Sequence, residues 1–283
     1  MKIFTVATND EGYYSTLQRT AKEKGFSLTS LGWNQEWRGL AWKIDLYLDE
    51  LRNCKNNEPV VCVDGYDVVI IGEADEVHSK FIEIGQPLLF SGQRYFPNQK
   101  WIQRISDQLM SNSKSSSIGE LHEEQDYSRP CMGLLIGYAG HLISLFERLQ
   151  AIELKQQIGN DQILLNIYYL NHPEQIQLDL ECQIFQNLWR TRSGIYGRVS
   201  TKDESCDVEV YHPPGTAIKR IRNKKYKTLP CFLHSPFNLD MHLLLKEIDI
   251  AVPKMSLKKG IHYWNYSIMY YIKRAITFFL KRH

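Results

Sequence analysis

Residues 60–72, Val60-Val61-Cys62-Val63-Asp64-Gly65-Tyr66-Asp67-Val68-Val69-Ile70-Ile71-Gly72, constrain the fold of this chain more than any other stretch. The apolar run before the break is continuous and β-branched, which suits a strand buried on both faces of a parallel sheet. Asp64 then falls at the carboxyl end of that strand, where open α/β sheets place their ligands. Two carboxylates three residues apart, held by a turn at such an edge, can share one hard divalent cation through oxygen ligands. The same residues also suit an Asp-Gly turn whose carboxylates only cap the loop. The stretch alone does not choose between the two.

The flanking chain is of α/β type. Ile3–Ala7 reads as a first strand, Tyr13–Lys24 as an amphipathic helix closed by Gly25, and Phe26–Leu31 as a second strand. This β-α-β opening has a nucleotide-binding style but lacks G-x-G-x-x-G, so a dinucleotide fingerprint is absent. An aromatic-rich loop follows, in which Trp37 could stack on a base or a sugar, or simply cover core. Lys43–Arg52 reads as a helix leading into the central strand, Ala74–Ile84 as another helix, and Pro87–Ser91 as a buried strand. Residues 111–128, serine-rich and acidic with no apolar period, read as a mobile loop in which His122 is a solvated histidine. Gly133–Gly140 reads as strand and turn into a helix His141–Ile152. Asp161 opens a helical run to Leu170, where N-capping is its plain role.

With 43% hydrophobic and 23% charged residues and a net charge of +2, the composition is that of an ordinary globular chain, and no nucleic-acid partner is indicated. Six cysteines lie far apart without a C-x-x-C pair, which argues against a zinc ribbon or a disulfide scaffold. Met1–Thr8 is strand-like and lacks the features of a signal peptide, so the expected location is cytoplasmic. The basic residues Lys219, Arg220, Arg222, Lys224, Lys225 and Lys227 suggest a solvated face, with help to a diphosphate as the minority reading. They lead into a strand, Leu229–His234. His234 ends that run at a strand edge, where an imidazole could complete a metal site with Asp64 and Asp67.

These pieces, in this order, resemble the glycosyltransferase domain of the procollagen lysyl hydroxylase family. Phe4–Thr8 with Glu11-Gly12-Tyr13, Leu31-Gly32 with Glu36-Trp37-Arg38-Gly39, and Val63–Val68 as a D-x-x-D motif carry the first half of the match. Leu88–Ser91, Ile136–Ala139, Asp161-Gln162, Cys182–Leu188, Ile221–Asn223 and Thr228-Leu229-Pro230 ending in His234 carry the second. The resemblance covers residues 3 to 240, leaves no room for the hydroxylase half, and is similar to the separate collagen-modifying proteins of some giant viruses. A virion or giant-virus host cell is the location this likeness adds.

The resemblance implies metal ligands at Asp64, Asp67 and His234, with manganese as the ion. It implies uracil- and ribose-contacting positions at Tyr66, Trp37 and the strand end Thr5, Val6 and Ala7, and a nucleotide-sugar lysine at Lys43. Asp161 and Gln162 become the catalytic positions near the transferred sugar. Departures fall on the sugar side. Cys131-Met132-Gly133-Leu134 stands where the family has N-S-G-G, Asn160-Asp161 replaces a longer acidic stretch, Gln93 replaces a glutamate, and His234-Ser235-Pro236-Phe237 replaces H-G-N-G.

The expected fold is therefore a Rossmann-like α/β glycosyltransferase domain of the GT-A type over residues 1–245. A C-terminal helical extension over 246–283 would follow. In that extension Tyr263, Trp264, Ile268, Met269, Ile272, Ile276, Phe279 and Leu280 form an apolar stripe suited to packing or to a homodimer. It is too charged and too short for a membrane span. The expected activity is metal-dependent, retaining transfer of glucose from UDP-glucose to galactosyl-hydroxylysine of a collagen-like polypeptide. The alternatives are another donor (UDP-galactose or UDP-N-acetylglucosamine), a non-collagen glycan acceptor, or a catalytically weak UDP-sugar-binding protein.

Overall fold

A computed structural model describes residues 1–93, 129–189, 199–236 and 239–252. The serine-rich segment with His122, and the part of the expected extension from residue 253 on, where the apolar stripe and the homodimer are expected, lie outside the described residues.

A six-stranded sheet in the order β2-β1-β3-β6-β5-β7 forms the centre. Its strands are β1 (Lys2–Val6), β2 (Ser27–Leu31), β3 (Pro59–Asp64), β5 (Leu88–Gln93), β6 (Arg129–Tyr138) and β7 (Gln177–Asp179). The contacts β1–β2, β1–β3 and β5–β7 are parallel, whereas β6 runs antiparallel to both β3 and β5. The central strand thus has one parallel and one antiparallel neighbour, a mixed version of the parallel sheet expected from its sequence.

Alternate residues of the strands feed two cores, as the two-residue period of a strand requires. Phe4, Val6, Val60 and Cys62 pack with the helices α2 (Trp42–Leu51), α4 (Ala139–Gln156) and α5 (Asp161–Asn171) on one face. Ile3, Val61 and Val63 pack with α1 (Tyr14–Glu23) and α3 (Ala74–Ile84) on the other. Helices on both faces of the sheet make the fold the Rossmann-like α/β type expected, and they explain why β3 carries no polar residue until its last position. Gly85 takes the left-handed conformation at the end of α3 (φ 68°), donating its N–H to the Phe81 carbonyl. Helix α4 begins two residues earlier and ends four later than its apolar period suggests.

The apolar run after the break does not continue this sheet. It forms β4 (Val68–Ile70) in a second, three-stranded sheet ordered β4-β11-β8, with β8 at Phe185–Asn187 and β11 confined to Phe232–His234. Val69, Ile71 and Leu233 face a third core with residues of the hairpin β9 (Val208–Tyr211) and β10 (Arg220–Asn223) and of α6 (His242–Glu247). Leu244, Leu245 and Ile248 belong to that core and Val252 packs against it, so the core continues past residue 245. No helix among the described residues is long and apolar enough to cross a membrane.

Candidate metal and sugar-nucleotide site

The break between β3 and β4 is shaped by close approaches. A Cβ on Gly65 would lie 2.8 Å from the Val6 carbonyl oxygen, and one on Gly12, at φ +57°, would lie 2.2 Å from the Tyr66 carbonyl oxygen. Both positions need glycine for the turn to nest against the exit of β1. The Tyr66 hydroxyl accepts from the Thr8 N–H at 2.8 Å, and the Tyr66 carbonyl accepts from the Tyr13 N–H at 2.8 Å. The turn is thereby fixed, and Asp64 and Asp67 leave it on the same side.

His234 reaches them from the second sheet. Its partner across β4 is Val68, next to Asp67, and the Asp67 carbonyl accepts from the Ser235 N–H at 2.9 Å. His234 Nε2 lies 3.3 Å from Asp67 Oδ2 and 3.8 Å from Asp64 Oδ2. The candidate ligand atoms of the three residues all fall within 4.8 Å of one another. Asp67 Oδ1 and His234 Nε2 are buried without a hydrogen-bond partner, a costly arrangement for polar atoms unless something else engages them. Two carboxylates and one imidazole are a donor set suited to a divalent ion of intermediate hardness such as manganese. The residues present therefore fit the cation that the resemblance implies.

Strand β6 makes room for this convergence. Its register against β5 jumps between Phe90↔Leu135 and Ser91↔Cys131, so Met132, Gly133 and Leu134 bulge opposite no partner on β5. Gly133 lies directly beneath the site. A Cβ there would sit 2.5 Å from His234 Cε1, 2.7 Å from Asp64 Oδ2 and 2.9 Å from His234 Nε2. In the sequence Gly133 stands out only as a glycine at the head of a strand and within the Cys131–Leu134 departure; a glycine inside a strand can mark a place where backbone comes close to a ligand.

A second cluster adjoins the first. Lys43, 5% exposed, sends Nζ to Asp64 Oδ1 at 2.5 Å and to Asp161 Oδ2 at 2.7 Å. Burial works against the ammonium, but Asp161 and then Asp64 hold its pKa well above the usual value. Burial pushes the Asp64 carboxyl up, and Lys43 followed by His234 pulls it below its usual range. Burial likewise raises the Asp161 carboxyl, against the pull of Lys43. At His234 burial disfavours the charged ring, yet the Asp67 carboxylate holds the imidazole well above its ordinary pKa. With the His234 ring neutral, as a metal ligand would have to be, three carboxylates against one ammonium leave two negative charges, which a divalent cation would meet.

Asp161 is not the N-cap of its helix. Asn160 fills that position, its side chain accepting from the Ile163 N–H, and so the Asp161 carboxylate is free to take Lys43 and its neighbour's Gln162 N–H. The Gln162 amide is committed to β6: it donates to the Pro130 carbonyl at 2.8 Å and accepts from the Met132 N–H at 2.9 Å. It fastens the first turn of α5 to the bulged strand, so it holds Asp161 in place through backbone.

Thr5, Val6 and Ala7 lie buried at the end of β1, Val6 directly beside Asp64, with the Thr5 hydroxyl donating to the Val63 carbonyl at 2.9 Å. Trp37 is 40% exposed and meets Trp42, the residue before Lys43, edge-on at 6.0 Å. Trp33, also exposed, stacks on Tyr14 at 4.8 Å. The basic segment is largely spent on internal pairs: Lys219 with Asp249, Arg220 with Glu76, and Arg222 and Lys227 with Glu209.

Comparison with known proteins bears on this arrangement. The family model described as the PLOD GT domain matches residues 1–255. Among curated relatives, a procollagen-lysine,2-oxoglutarate 5-dioxygenase of Drosophila melanogaster is 26% identical over 247 residues, covering 83% of this chain and 30% of the relative. The multifunctional procollagen lysine hydroxylase and glycosyltransferase LH3 of Homo sapiens is 24% identical over 258 residues, covering 86% and 30%. The chain thus spans about a third of the length of the curated relatives it matches. A solved structure of mouse xyloside xylosyltransferase 1 in its apo form aligns with a TM-score of 0.41 at 11% identity, over 67% of this chain and 88% of that one. With nine-tenths of its residues inside the family model, the chain belongs to the PLOD GT domain family of glycosyltransferases.

Proposed function

We propose that the chain is a divalent-metal-dependent, retaining transferase that moves glucose from UDP-glucose to galactosyl-hydroxylysine in a collagen-like polypeptide. The observation that carries this reading is the convergence of Asp64, Asp67 and His234 from two different sheets beside the buried Lys43–Asp161 pair. The printed name of the LH3 relative, a procollagen lysine hydroxylase and glycosyltransferase, supports the acceptor class.

Asp64, Asp67 and His234 would hold the cation, with manganese the ion of choice. When bound, it offsets the negative charge that builds on the departing diphosphate. The chain's own groups do the rest. The turn carrying Tyr66 and the end of β1 form the floor for uridine, and Trp37 supplies an exposed aromatic face for it. Lys43 keeps its charge and anchors Asp161 next to Asp64. Asp161 then orients the acceptor hydroxyl on the face of the sugar from which UDP leaves. In a same-face displacement the acceptor oxygen bonds to the anomeric carbon as the bond to phosphate breaks, and the hydroxyl proton passes to the departing phosphate. The anomeric configuration is retained.

The test is UDP release from UDP-glucose, UDP-galactose and UDP-N-acetylglucosamine, each with and without a galactosyl-hydroxylysine peptide, in manganese and in EDTA. Peptide-dependent release confined to UDP-glucose and abolished by EDTA is the expected result. Manganese-dependent UDP binding without release from any donor would leave a sugar-nucleotide-binding protein instead.

A further inference from the structure

The ring of His234 is fixed by a hydrogen bond that neither the metal nor the nucleotide accounts for. His234 Nδ1 lies 2.7 Å from Asn187 Oδ1, and both side chains are buried. Which ring nitrogen carries the proton follows from the other end of the asparagine. Asn187 Nδ2 lies 2.6 Å from the carbonyl oxygen of Gly92, which can only accept, so the amide nitrogen must face Gly92 and the amide oxygen must face His234. Oδ1 in turn can only accept, so the proton sits on Nδ1. In the neutral ring the lone pair is then on Nε2, the buried nitrogen without a hydrogen-bond partner that points at Asp67 and Asp64.

We infer that Asn187 is the positioning residue of the metal site, holding His234 in the Nδ1–H form and in the orientation that presents Nε2 to the cation. The inference rests on the metal reading of Asp64, Asp67 and His234. Strand geometry supports it. Asn187 and His234 are register partners on the parallel strands β8 and β11, and Gly92 is the penultimate residue of β5. The chain Gly92–Asn187–His234 thus ties the imidazole to backbone of the six-stranded sheet that also carries Asp64. Cys131 Sγ also approaches Nδ1, at 3.6 Å, but a thiol is a weak acceptor. Partners behind a metal-bound histidine typically alter metal affinity by roughly 10–100-fold.

Two substitutions isolate the acceptor. Asn187→Leu removes both hydrogen bonds at similar volume, whereas Asn187→Asp loses the bond to Gly92 and keeps an acceptor facing Nδ1. Manganese binding is titrated by electron paramagnetic resonance without UDP, 14N spin-echo modulation reports the coordinated imidazole, and thermal melting in EDTA reports the fold. Asn187→Leu should bind manganese roughly 10–100-fold more weakly with an altered 14N signal. Asn187→Asp should stay within a few-fold of wild type, and so should Cys131→Ala. Wild-type affinity and 14N modulation in Asn187→Leu, or an equal loss in Asn187→Asp while it melts normally, overturns the inference. Should Asn187→Leu fail to fold, Asn187→Ala, which also lacks the acceptor, takes its place with the same two outcomes. A wild-type protein that binds no manganese, or an Asp64→Ala variant that binds it as well as wild type, refutes the metal reading itself and this inference with it.

Discussion

Gly133→Ala is the sharpest test of how the site is packed. The added methyl would stand 2.7 Å from Asp64 Oδ2 and 2.5 Å from His234 Cε1, against an ordinary contact of roughly 3.5–4.0 Å between carbon atoms. Neither neighbour can yield freely. Asp64 is gripped by Lys43 at 2.5 Å and His234 by Asn187 at 2.7 Å, while the residues flanking the bulge are paired, Leu134 with Val63 of β3 and Cys131 with Ser91 of β5. The two ligands must therefore part by something like an ångström, well beyond the ~0.2 Å tolerance of metal–ligand distances. Overpacking of this kind costs about 1–3 kcal/mol. Taken from the metal site, that is a manganese affinity lower by about one to two decades. The assay is a calorimetric manganese titration beside a thermal melt in EDTA. A Gly133→Ala protein that melts like wild type and binds manganese equally well would show that strand and ligands do not meet as described.

Other outcomes follow from the same geometry. Asp64→Ala and Asp67→Ala should each abolish manganese-dependent UDP binding while circular dichroism stays native; full transfer by both variants in EDTA would remove the metal from the mechanism. Asp161→Asn should keep UDP affinity and lose transfer by orders of magnitude, and unchanged turnover would reduce Asp161 to a structural partner of Lys43. Trp37→Ala should weaken UDP binding by about one to two decades, if stacking contributes roughly 1–3 kcal/mol per base; overlaying titrations would make the loop structural. For pH, His234 is held protonated above the usual imidazole range in the metal-free protein, so the cation must displace a proton. Metal-free stability from this group should be full below the unfolded imidazole pKa and fall as pH rises through the raised one. Manganese affinity should rise over that same interval, with proton release seen by calorimetry in two buffers of different ionisation enthalpy. Affinity that is flat with pH would contradict it.

Much of the frame is legible in the residues because local pattern and global layer agree. Val60–Val63 is uniformly apolar since both sheet faces are covered, and Asp64 is the first residue where the strand meets its open end. The grouping of Asp64, Asp67 and His234 is what the family resemblance implies, and the fold brings the three together. What the sequence hides is relational. That Val68–Ile70 enters a second sheet cannot be told from its composition, since strands of either sheet are equally apolar. That Asn160 rather than Asp161 caps α5 depends on which carbonyl or ammonium lies within reach, a tertiary matter for two adjacent cap-forming residues. The basic segment suggested an exposed face; its partners Glu76, Glu209 and Asp249 lie far off in sequence and become visible only in the fold. Gly133 and Asn187 owe their roles to neighbours more than forty residues away.

The placement of the candidate ligands in two separate sheets has a thermodynamic meaning. Asp64 ends a strand of the six-stranded sheet and His234 ends a strand of the three-stranded one, while Asp67 sits on the connector. Otherwise the two sheets meet through the apolar side chains of the second core, the Asn187–Gly92 hydrogen bond and the Asp179 carboxylate at the end of β7, which accepts from the Ile184 and Phe185 N–H groups at the start of β8. Such halves can open as distinct cooperative units under native conditions. A cation held from both sides would act as a removable rivet: binding only when the halves are closed, it would favour that state by about 2.7 kcal/mol at a hundred times its dissociation constant. Metal availability would then set the rigidity of the donor site as well as its charge.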